Sequence, residues 1–189
     1  MLEFVLATHN KNKVREMERL LGQTLGNKVE FSVKTAEQVG VTDEIEENGS
    51  TFEENARIKA RALASDRYIS IADDSGLSVD ALGGAPGVYS ARWSGEGDAG
   101  NNQKLLRELE GKRGEERRAR FVTAVCCILP DGRELMLHGE CEGLILDAPR
   151  GEGGFGYDPL FLYEPLGRSF AELSGDEKNA VSHRGRAMR

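Results

Sequence analysis

Cysteine is scarce in this chain of 189 residues, which contains only Cys126, Cys127 and Cys141. Their number is odd, and no two of them form a CxxC pair. This pattern is typical of buried, reduced thiols in a cytoplasmic protein. A disulfide between Cys127 and Cys141 is the alternative interpretation.

Long apolar runs are missing as well. No stretch approaches the roughly 20 residues that a membrane-spanning helix needs. Residues 1–7 are too few for the apolar core of a signal peptide, and Glu3 lies among them. We therefore expect no association with a membrane.

Positive charge is in the minority, because 25 lysines and arginines against 32 aspartates and glutamates give a net charge of −7. Non-specific binding to nucleic acid depends on neutralising phosphates with Lys and Arg, so the composition argues against a polymer of this kind as partner. A small anionic substrate stays compatible with the charge if a bound cation, a locally basic pocket or both offset it.

The chain does have the composition of a soluble globular protein, with 39% hydrophobic and 30% charged residues. Its length can bury a full core, either as one large domain or as two tightly joined lobes. Strands and helices alternate and a hairpin follows, which indicates an α/β fold with a mixed sheet. The predicted elements are a strand at 2–7, a helix at about 13–21, a helix opened by a capping box of Ser50 and Glu53, a strand at 68–72, a short helix around 105–109, and a hairpin of 119–129 with the residues from 135 onward.

Two adjacent carboxylates, Asp73 and Asp74, follow the apolar run 68–72 and precede Ser75 and Gly76. The run is typical of a buried strand, and carboxylates at its end would be costly to bury without partners. Ligands of open α/β sheets bind outside the carboxyl ends of strands, where Mg²⁺ prefers carboxylate and phosphate oxygens. The pattern predicts either metal or acid–base chemistry, or a strand that ends in an Asx-type turn.

Basic side chains lie where the first helix should begin. Lys11, Lys13 and Arg15 occupy this position, although acidic side chains are favoured at a helix N-terminus. A helix N-terminus also binds anions. The segment is therefore either a phosphate site or a helix start whose lysines point into water. No Walker A motif is present, which excludes a P-loop.

Two further segments each have a functional and a structural interpretation. Glu46 and Glu47 lie in an acidic stretch that is either a solvated loop or the source of a carboxylate partner for Asp74. Residues 151–156 formally match GxGxxG, but Pro159 follows where the dinucleotide fingerprint needs a helix, so that function is rejected. We expect instead either a loop that approaches a flat ligand or a structural turn.

Aromatic and polar residues follow this loop. Phe155 and Tyr157 are candidates for a stacking face, or for two core aromatic residues, and Asp158 is a candidate for a hydrogen bond. Near the C-terminus, Lys178 and Ser182 have the spacing of residues on one helix face.

His183, next to them, would most often be structural. Arg184 has the planar fork that binds a carbonyl oxygen or a phosphate.

Four segments, taken together and in this order, resemble one family. They are Thr8-x-Asn10-x-x-Lys13, then Ala72-Asp73-Asp74-Ser75-Gly76 with Gly83-Gly84-Ala85-Pro86-Gly87, then Gly153-Gly154-Phe155-Gly156-Tyr157-Asp158-Pro159, and finally Ser182-His183-Arg184-Gly185. Each motif is weak alone, but the ordered set is very specific. The chain resembles the noncanonical purine nucleoside triphosphate pyrophosphatases, also called inosine or xanthosine triphosphate diphosphatases.

The resemblance implies an α/β protein with a long mixed central β-sheet flanked by helices, in two lobes with the active-site cleft between them. Residues 1–189 would form a single nucleotide pyrophosphatase domain. Members of the family hydrolyse ITP, dITP and XTP to the monophosphate and pyrophosphate with Mg²⁺, which removes these nucleotides from the pool. They are usually cytoplasmic homodimers.

The resemblance also implies roles for single residues. Asp74 becomes the proton acceptor and a metal ligand, Glu46 the second metal-binding carboxylate, and Lys13 a catalytic residue that stabilises charge on the leaving phosphates. Since side chains alternate along a strand, Asp73 is expected to support the site through backbone N–H groups or a basic residue. The implied substrate-binding residues are Thr8, Asn10, Lys13, Ser75, Phe155, Gly156, Tyr157, Asp158, Lys178, Ser182, His183 and Arg184.

The chain departs from the family pattern at two places. His9 stands where smaller residues are common, which we expect to alter packing and not chemistry. Family members also usually continue beyond the equivalent of Arg189 through a C-terminal helix, which puts the anchoring of His183 and Arg184 in question.

Two other functions stay open from the sequence. The first is a nucleotide-binding regulatory module with an inactive site, although intact Lys13, Glu46 and Asp74 argue against it. The second is a related phosphatase that acts on other nucleotides or on inorganic pyrophosphate.

Overall fold

The computed structural model describes every residue from Met1 to Arg189. Its strands are β1 (Leu2–Leu6), β2 (Phe31–Thr35), β3 (Ile69–Val79), β4 (Arg118–Ile128), β5 (Glu134–Ile145), β6 (Phe161–Tyr163) and β7 (Arg168–Ser169). Its helices are α1 (Lys11–Leu25), α2 (Phe52–Ala62), α3 (Gly97–Glu108), α4 (Gly175–Val181) and α5 (His183–Ala187).

All seven strands belong to one sheet, in the order β2-β1-β3-β4-β5-β6-β7. Strand β1 pairs in parallel with β2 and β3, whereas β6 pairs antiparallel with β5 and β7. The sheet is therefore mixed, which confirms the predicted α/β class. The predicted hairpin is confirmed as well, because β4 and β5 are neighbours joined by a turn in which the Leu129 N–H donates to the Arg133 carbonyl at 2.9 Å.

Two compact units divide the chain. The first comprises Met1–Asp74, Thr123–Gly139 and Ala187–Arg189, and the second comprises Ser75–Val122 and Glu140–Arg186. The boundary therefore falls inside β3, directly after the second of the two adjacent aspartates.

In the first unit, helices cover both faces of the sheet. Alternate residues of a strand point to opposite faces, so β1 contributes to two separate apolar clusters. Phe4 and Leu6 pack in one cluster with Met17 of α1, and Val5 packs in the other with Ala60 of α2. This arrangement fixes which helix each side chain of the neighbouring strand β3 can meet.

Helix α2 has the predicted apolar face but begins one residue later than predicted. The N-cap is Thr51, whose Oγ1 accepts the Glu54 N–H at 3.1 Å, and not Ser50. Ser50 and Thr51 both match the S/T-x-x-E pattern, because Glu53 and Glu54 are both acidic. Glu54 completes the arrangement by accepting the Ser50 N–H at 2.7 Å.

The second unit has one apolar core, centred on three phenylalanines. Phe121 lies 4.5 Å from Phe161 and 5.5 Å from Phe170, measured between ring centroids. Leu105 of α3 is fully buried in the same core. Helix α3 begins at Gly97, well before the predicted start. The sequence did not indicate this earlier start, because the first two turns of the helix are polar and glycine-rich and carry no apolar stripe.

The three cysteines are free, with Cys126 and Cys141 buried and Cys127 partly buried. Burial raises the pKa of each thiol, to about 11 for Cys126 and Cys141 and to about 12 for Cys127. Since all three cysteines are free, the disulfide alternative is not found and the prediction of reduced thiols is confirmed, although Cys127 is only partly buried. None of the helices has the length and apolar character needed to cross a bilayer.

Candidate active site

The adjacent aspartates lie within a strand and do not follow one. Strand β3 continues to Val79, so neither the predicted strand end nor an Asx-type turn occurs at Asp73 and Asp74. Both residues are buried, with 6% and 5% of their surface exposed. A strand can carry buried carboxylates only if its neighbours supply partners, and the two flanking helices do so here.

The two carboxylates point to opposite faces of β3, as the alternation along a strand requires. Asp73 Oδ2 lies 3.4 Å from the Nζ of Lys13 on α1. Asp74 Oδ2 accepts a hydrogen bond of 3.1 Å from the Nδ2 of Asn55 on α2. The expected contact of Asp73 with a basic residue is therefore present.

Helix α2 supports the acidic pair with two residues one turn apart, Asn55 and Lys59. The Lys59 ammonium group is buried and donates to the Asp73 carbonyl oxygen at 2.6 Å. It also lies 3.8 Å from Asp74 Oδ1 and 3.2 Å from Glu47 Oε1. Lys59 thus provides one positive charge for two carboxylates.

The structure brings Glu47, and not Glu46, to this group. Glu46 is exposed, whereas Glu47 is half-buried and forms the ion pair with Lys59. The resemblance assigned the second metal-binding carboxylate to Glu46, but the geometry favours its neighbour. Sequence spacing could not decide between two adjacent glutamates in a loop that lacks regular structure.

Burial raises the pKa of Asp74 from 3.8 to about 6, because desolvation disfavours the charged carboxylate. Lys59 opposes this rise, and the negative charge of Glu47 adds to it. A cation bound beside Asp74 would favour its ionised form. Mg²⁺ fits these residues, because it is typically held by one or two carboxylates together with substrate phosphates. No group of three or more His, Cys, Asp or Glu side chains could enclose a metal ion by itself.

The start of α1 is capped from within the predicted phosphate-binding segment. Asn10 is the N-cap, and its Oδ1 accepts the N–H groups of Asn12 and Lys13 at 3.0 and 3.3 Å. The Thr8 Oγ1 in turn accepts the Asn10 N–H at 3.1 Å. Asn10 therefore satisfies two helix donors with its oxygen and keeps its Nδ2 as a donor, while the first turn contains no acidic residue.

His9 does not alter the packing around this segment in the expected way. The residue is exposed, and its Nδ1 lies 3.1 Å from Glu37 Oε1. The side chain therefore contacts Glu37 at the surface and fills no space in the core.

A second polar group lies in the second unit, in and around the glycine-rich loop. Asp158 is buried, and its Oδ2 accepts both the Phe155 N–H at 3.0 Å and the Lys178 ammonium at 2.6 Å. Gly154 has a φ of +68°, and a Cβ at this position would overlap the Asp158 carboxylate. A 3-10 turn at Asp158–Leu160 and then strand β6 follow the loop, and no α-helix begins there, which agrees with the rejection of a dinucleotide fingerprint.

Cations surround the ring of Phe155, which is itself partly exposed. The Lys178 Nζ lies 4.6 Å from the ring centroid and the Arg184 guanidinium carbon lies 5.6 Å from it. Lys178 and Arg184 are both buried, although they carry charge. His183 stacks on Phe121, with 4.9 Å between the ring centroids.

Two of the predicted substrate-binding residues have structural contacts. The hydroxyl of the buried Tyr157 donates to the Ser90 carbonyl at 2.6 Å, and its ring belongs to the apolar core. Ser182 does not share a helix face with Lys178, because α4 ends at Val181. The Ser182 Oγ accepts the Gly185 N–H at 3.1 Å and so opens α5. Ser75, by contrast, is partly exposed in β3.

Among known protein families, the model of the Ham1 family matches residues 4–189. The chain belongs to the Ham1 family. This match extends over both polar groups described above.

Curated relatives and solved structures of the Ham1 family cover the whole chain. A dITP/XTP pyrophosphatase of Bacillus licheniformis is 49% identical in an alignment 192 residues long, which covers 100% of this chain and 95% of that protein. A dITP/XTP pyrophosphatase of Geobacter sulfurreducens is 49% identical over 191 residues, with 100% and 94% covered. A HAM1 protein structure from Coxiella burnetii matches with a TM-score of 0.85 and 44% identity, over 100% of this chain and 95% of that chain. The Staphylococcus aureus Ham1 protein matches with a TM-score of 0.80 and 38% identity, over 98% and 94%.

Sequence reasoning missed two residues of the acidic group in this Ham1-family chain, namely Asn55 and Lys59. A signal for both of them existed. Asn55 and Lys59 are spaced by one helical turn and border the apolar face of α2 that contains Ala56 and Ala60. A polar pair on the flank of a buried face is a candidate for a contact with the strand beneath it.

Proposed function

We propose that this protein is a nucleoside triphosphate pyrophosphatase that hydrolyses ITP, dITP and XTP to the monophosphate and pyrophosphate. The observation that carries the proposal is the buried Asp74, held by Asn55 and Lys59 beside Glu47 in a chain of the Ham1 family. The curated relatives that cover the whole chain are named for this activity.

The first unit would hold the triphosphate and act on it. Mg²⁺ held by Asp74 and Glu47 would neutralise phosphate charge and polarise the scissile bond. Asp74 would orient a water molecule and accept its proton as the oxygen attacks the α-phosphorus, and pyrophosphate would leave. Lys13 and Asn10 would donate to the leaving phosphates, and Thr8 would keep Asn10 in place. Most of the rate enhancement would come from positioning and electrostatics, as in other phosphoryl transfer.

The second unit would hold the purine and select it. Phe155 would stack on the base, and Lys178, His183 and Arg184 would donate hydrogen bonds around the 6-position. Inosine and xanthine have an acceptor oxygen there, whereas adenine has an amino donor. A site that leaves buried donors without an acceptor can reject the wrong substrate by factors of about 10⁴.

The two units would act as one pyrophosphatase domain over residues 1–189. The chain passes from one unit to the other four times, so neither unit corresponds to a continuous segment. We also propose a homodimer, on the basis of the resemblance alone. Light scattering of the purified protein would test this part, and a monomer at working concentrations would contradict it.

The test of the activity is pyrophosphate release with Mg²⁺ from a panel of ITP, dITP, XTP, ATP, GTP and dUTP. We expect release from the first three and not from ATP. Asp74→Asn should abolish it, whereas Asp66→Asn should not, because Asp66 is exposed. Retained turnover in Asp74→Asn would remove Asp74 from catalysis. Tight binding of ITP without hydrolysis would instead support a binding module, and release from ATP or inorganic pyrophosphate hydrolysis would support a different phosphatase.

The assignment of the metal-binding carboxylate has a test of its own. We expect Glu47→Gln to raise the Mg²⁺ concentration needed for half-maximal activity by about tenfold or more, because one carboxylate ligand is lost. Glu46→Gln makes the same change one residue away, on an exposed side chain, and should behave like the wild type. The opposite result would restore Glu46 as the ligand.

A further inference from the structure

Helix α3 holds the glycine-rich loop from outside, at Gly156. The Gly156 N–H donates to Asp98 Oδ2 at 3.0 Å. The Gly156 carbonyl accepts from Asn102 Nδ2 at 3.1 Å. Asp98 and Asn102 are four residues apart and so lie on the same face of α3. Both backbone groups of a single glycine are therefore bonded to one helix.

This arrangement occupies the Gly156 N–H and one of the two acceptor positions of the Gly156 carbonyl. The neighbouring Phe155 N–H is bonded as well, to Asp158. Gly156 has a φ of +60°, where a side chain would be strained. The role of Gly156 is therefore to set the path of the chain, and α3 keeps that path in place on the C-terminal side of Phe155.

The neighbouring asparagine bonds in a different direction. Asn101 is buried and bonds to three backbone groups of the segment that precedes α3, at Ser90, Ala91 and Ser94. The amide nitrogen of Asn102 donates to the loop instead. The two adjacent amides thus have separate partners, one set in the preceding segment and one at Gly156, next to Phe155.

We propose that Asp98 and Asn102 are positioning residues that hold Phe155 ready to stack on the purine, and that they set the affinity for the base. The proposal rests on the proposed function, because it assumes that Phe155 contacts the base. A ring that is already ordered loses less conformational freedom when the ligand binds, so the affinity rises without a new contact. Neither residue is assigned a contact with the substrate.

The proposal predicts a defect in base binding and not in chemistry. Asp98→Ala and Asn102→Ala should each raise the KM for ITP about five- to tenfold, the effect of losing one hydrogen bond, one of them to a charged group. The value of kcat should change by less than about twofold, because the acidic group of the first unit is untouched. Binding of inorganic tripolyphosphate, which has no base, should stay at the wild-type level.

Conservative variants separate positioning from a general loss of structure. Asp98→Asn keeps an oxygen acceptor for the Gly156 N–H and should recover most of the ITP affinity that Asp98→Ala loses. Asn102→Asp places an acceptor against the Gly156 carbonyl and should be the most affected variant. Gln103→Glu adds the same charge to the next residue, which is exposed, and should match the wild type. Equal KM values in Asn102→Asp and Gln103→Glu would overturn the proposal.

Failure of this inference can be told apart from failure of the proposed function. The variants are also measured by calorimetry with IMP, and by hydrogen exchange of the loop that contains Gly156. If the wild type binds IMP but releases no pyrophosphate from ITP, the proposed function fails, and weaker IMP binding with faster loop exchange in Asp98→Ala still supports the inference. Unchanged IMP affinity in Asp98→Ala overturns the inference, whatever the activity. A wild type that releases pyrophosphate from ITP but binds no IMP overturns the inference and leaves the proposed function standing.

Discussion

At the scale of single residues, Asp74 is the proposed catalytic carboxylate, and yet its surroundings disfavour the charged form of that carboxylate. Its partners are one amide and one lysine, and that lysine is shared with Glu47. Desolvation therefore dominates and raises its pKa to about 6. A carboxylate binds a cation well when the protein itself supplies little positive charge to neutralise it. Burying such a carboxylate without the cation lowers the stability of the metal-free fold.

Replacing Asp74 by the uncharged Asn should therefore stabilise the metal-free protein while it abolishes activity. Below about pH 4 the carboxyl group is protonated in both the folded and the unfolded state, so the substitution should change little. Between pH 4 and pH 6 the carboxyl group of Asp74 loses its proton more readily in the unfolded state, so the free energy of unfolding of the wild type falls as the pH rises. Above pH 6 the carboxylate is charged in both states, and the full cost of burying its charge destabilises the wild type. We expect a gain of up to about 3 kcal/mol in the free energy of unfolding above pH 6, since each pH unit corresponds to about 1.4 kcal/mol.

Urea unfolding in EDTA at several pH values would measure this gain. Asp66→Asn is the matched control and should show no such pH dependence, because its side chain is exposed. An Asp74→Asn protein that is less stable than the wild type near neutral pH would show that the buried charge is better compensated than its contacts indicate.

At the scale of elements, the two short helices near the C-terminus depend on one glycine. Helix α5 carries Arg184 at its start and packs closely against the end of α4. A Cβ on Gly185 would overlap the Asn179 carbonyl oxygen and come within 3.3 Å of the Ser182 Oγ. The spacing of α4 and α5, and with it the position of Arg184, therefore requires glycine.

Gly185→Ala should lower the free energy of unfolding by about 1–3 kcal/mol through overpacking, and should raise the KM for ITP because Arg184 moves. Gly22→Ala is the contrasting substitution, since a Cβ at this position in the last turn of α1 meets nothing within 4 Å. It should raise stability by about 0.5–1 kcal/mol and leave KM unchanged. Chemical unfolding and steady-state kinetics would compare the two, and a stable Gly185→Ala protein with a normal KM would contradict the packing argument.

Elements with a local signal could be predicted from the sequence. The apolar stripe of α1, the apolar face of α2 and the β4–β5 hairpin are all patterns of period 3.6 or 2, which depend on neighbours in the chain. The family motifs contain both Lys13 and the aspartate pair, and the Lys13 Nζ lies 3.4 Å from Asp73 Oδ2.

Elements decided by distant partners could not be predicted. Strand β3 continues through Asp73 and Asp74 because Lys13, Asn55 and Lys59 supply bonds from two helices. The prediction that Lys178 and Ser182 share a helix face is wrong, because α4 ends at Val181. The Ser182 hydroxyl caps the next helix, α5, and does not continue α4. The choice between Glu46 and Glu47 likewise needs the position of Lys59.

At the scale of the whole molecule, the net charge of −7 makes the placement of the few buried cations important. Lys59 is buried in the first unit, and Lys178 and Arg184 in the second. The two groups are built on different units, so the phosphate and the base should be recognised by separable sets of contacts. Binding of each part of the substrate can then be weakened independently.

Two partial ligands would test this separation. Lys13→Ala should weaken binding of inorganic tripolyphosphate by about tenfold, the loss expected for one charged hydrogen bond, and leave IMP binding nearly unchanged. Arg184→Ala should do the reverse, because it removes a donor at the base. Calorimetry at constant Mg²⁺ would measure both, with Lys11→Ala as an exposed control for Lys13. Parallel losses for both ligands in either variant would contradict separate recognition.

The interleaving of the two units has a consequence for how the protein is made. The first unit needs Thr123–Gly139 in addition to Met1–Asp74, because Ala124, Val125 and Cys126 complete its two apolar clusters. During translation, the aspartates of β3 are synthesised long before β4, which is one of the two strands that flank β3 in the sheet. A nascent chain of the first 74 residues would therefore expose its apolar faces, and it would hold neither a nucleotide nor a stable fold. We therefore expect an interrupted chain to be unfolded and open to proteases, because neither unit is complete before β4 and β5 have been synthesised.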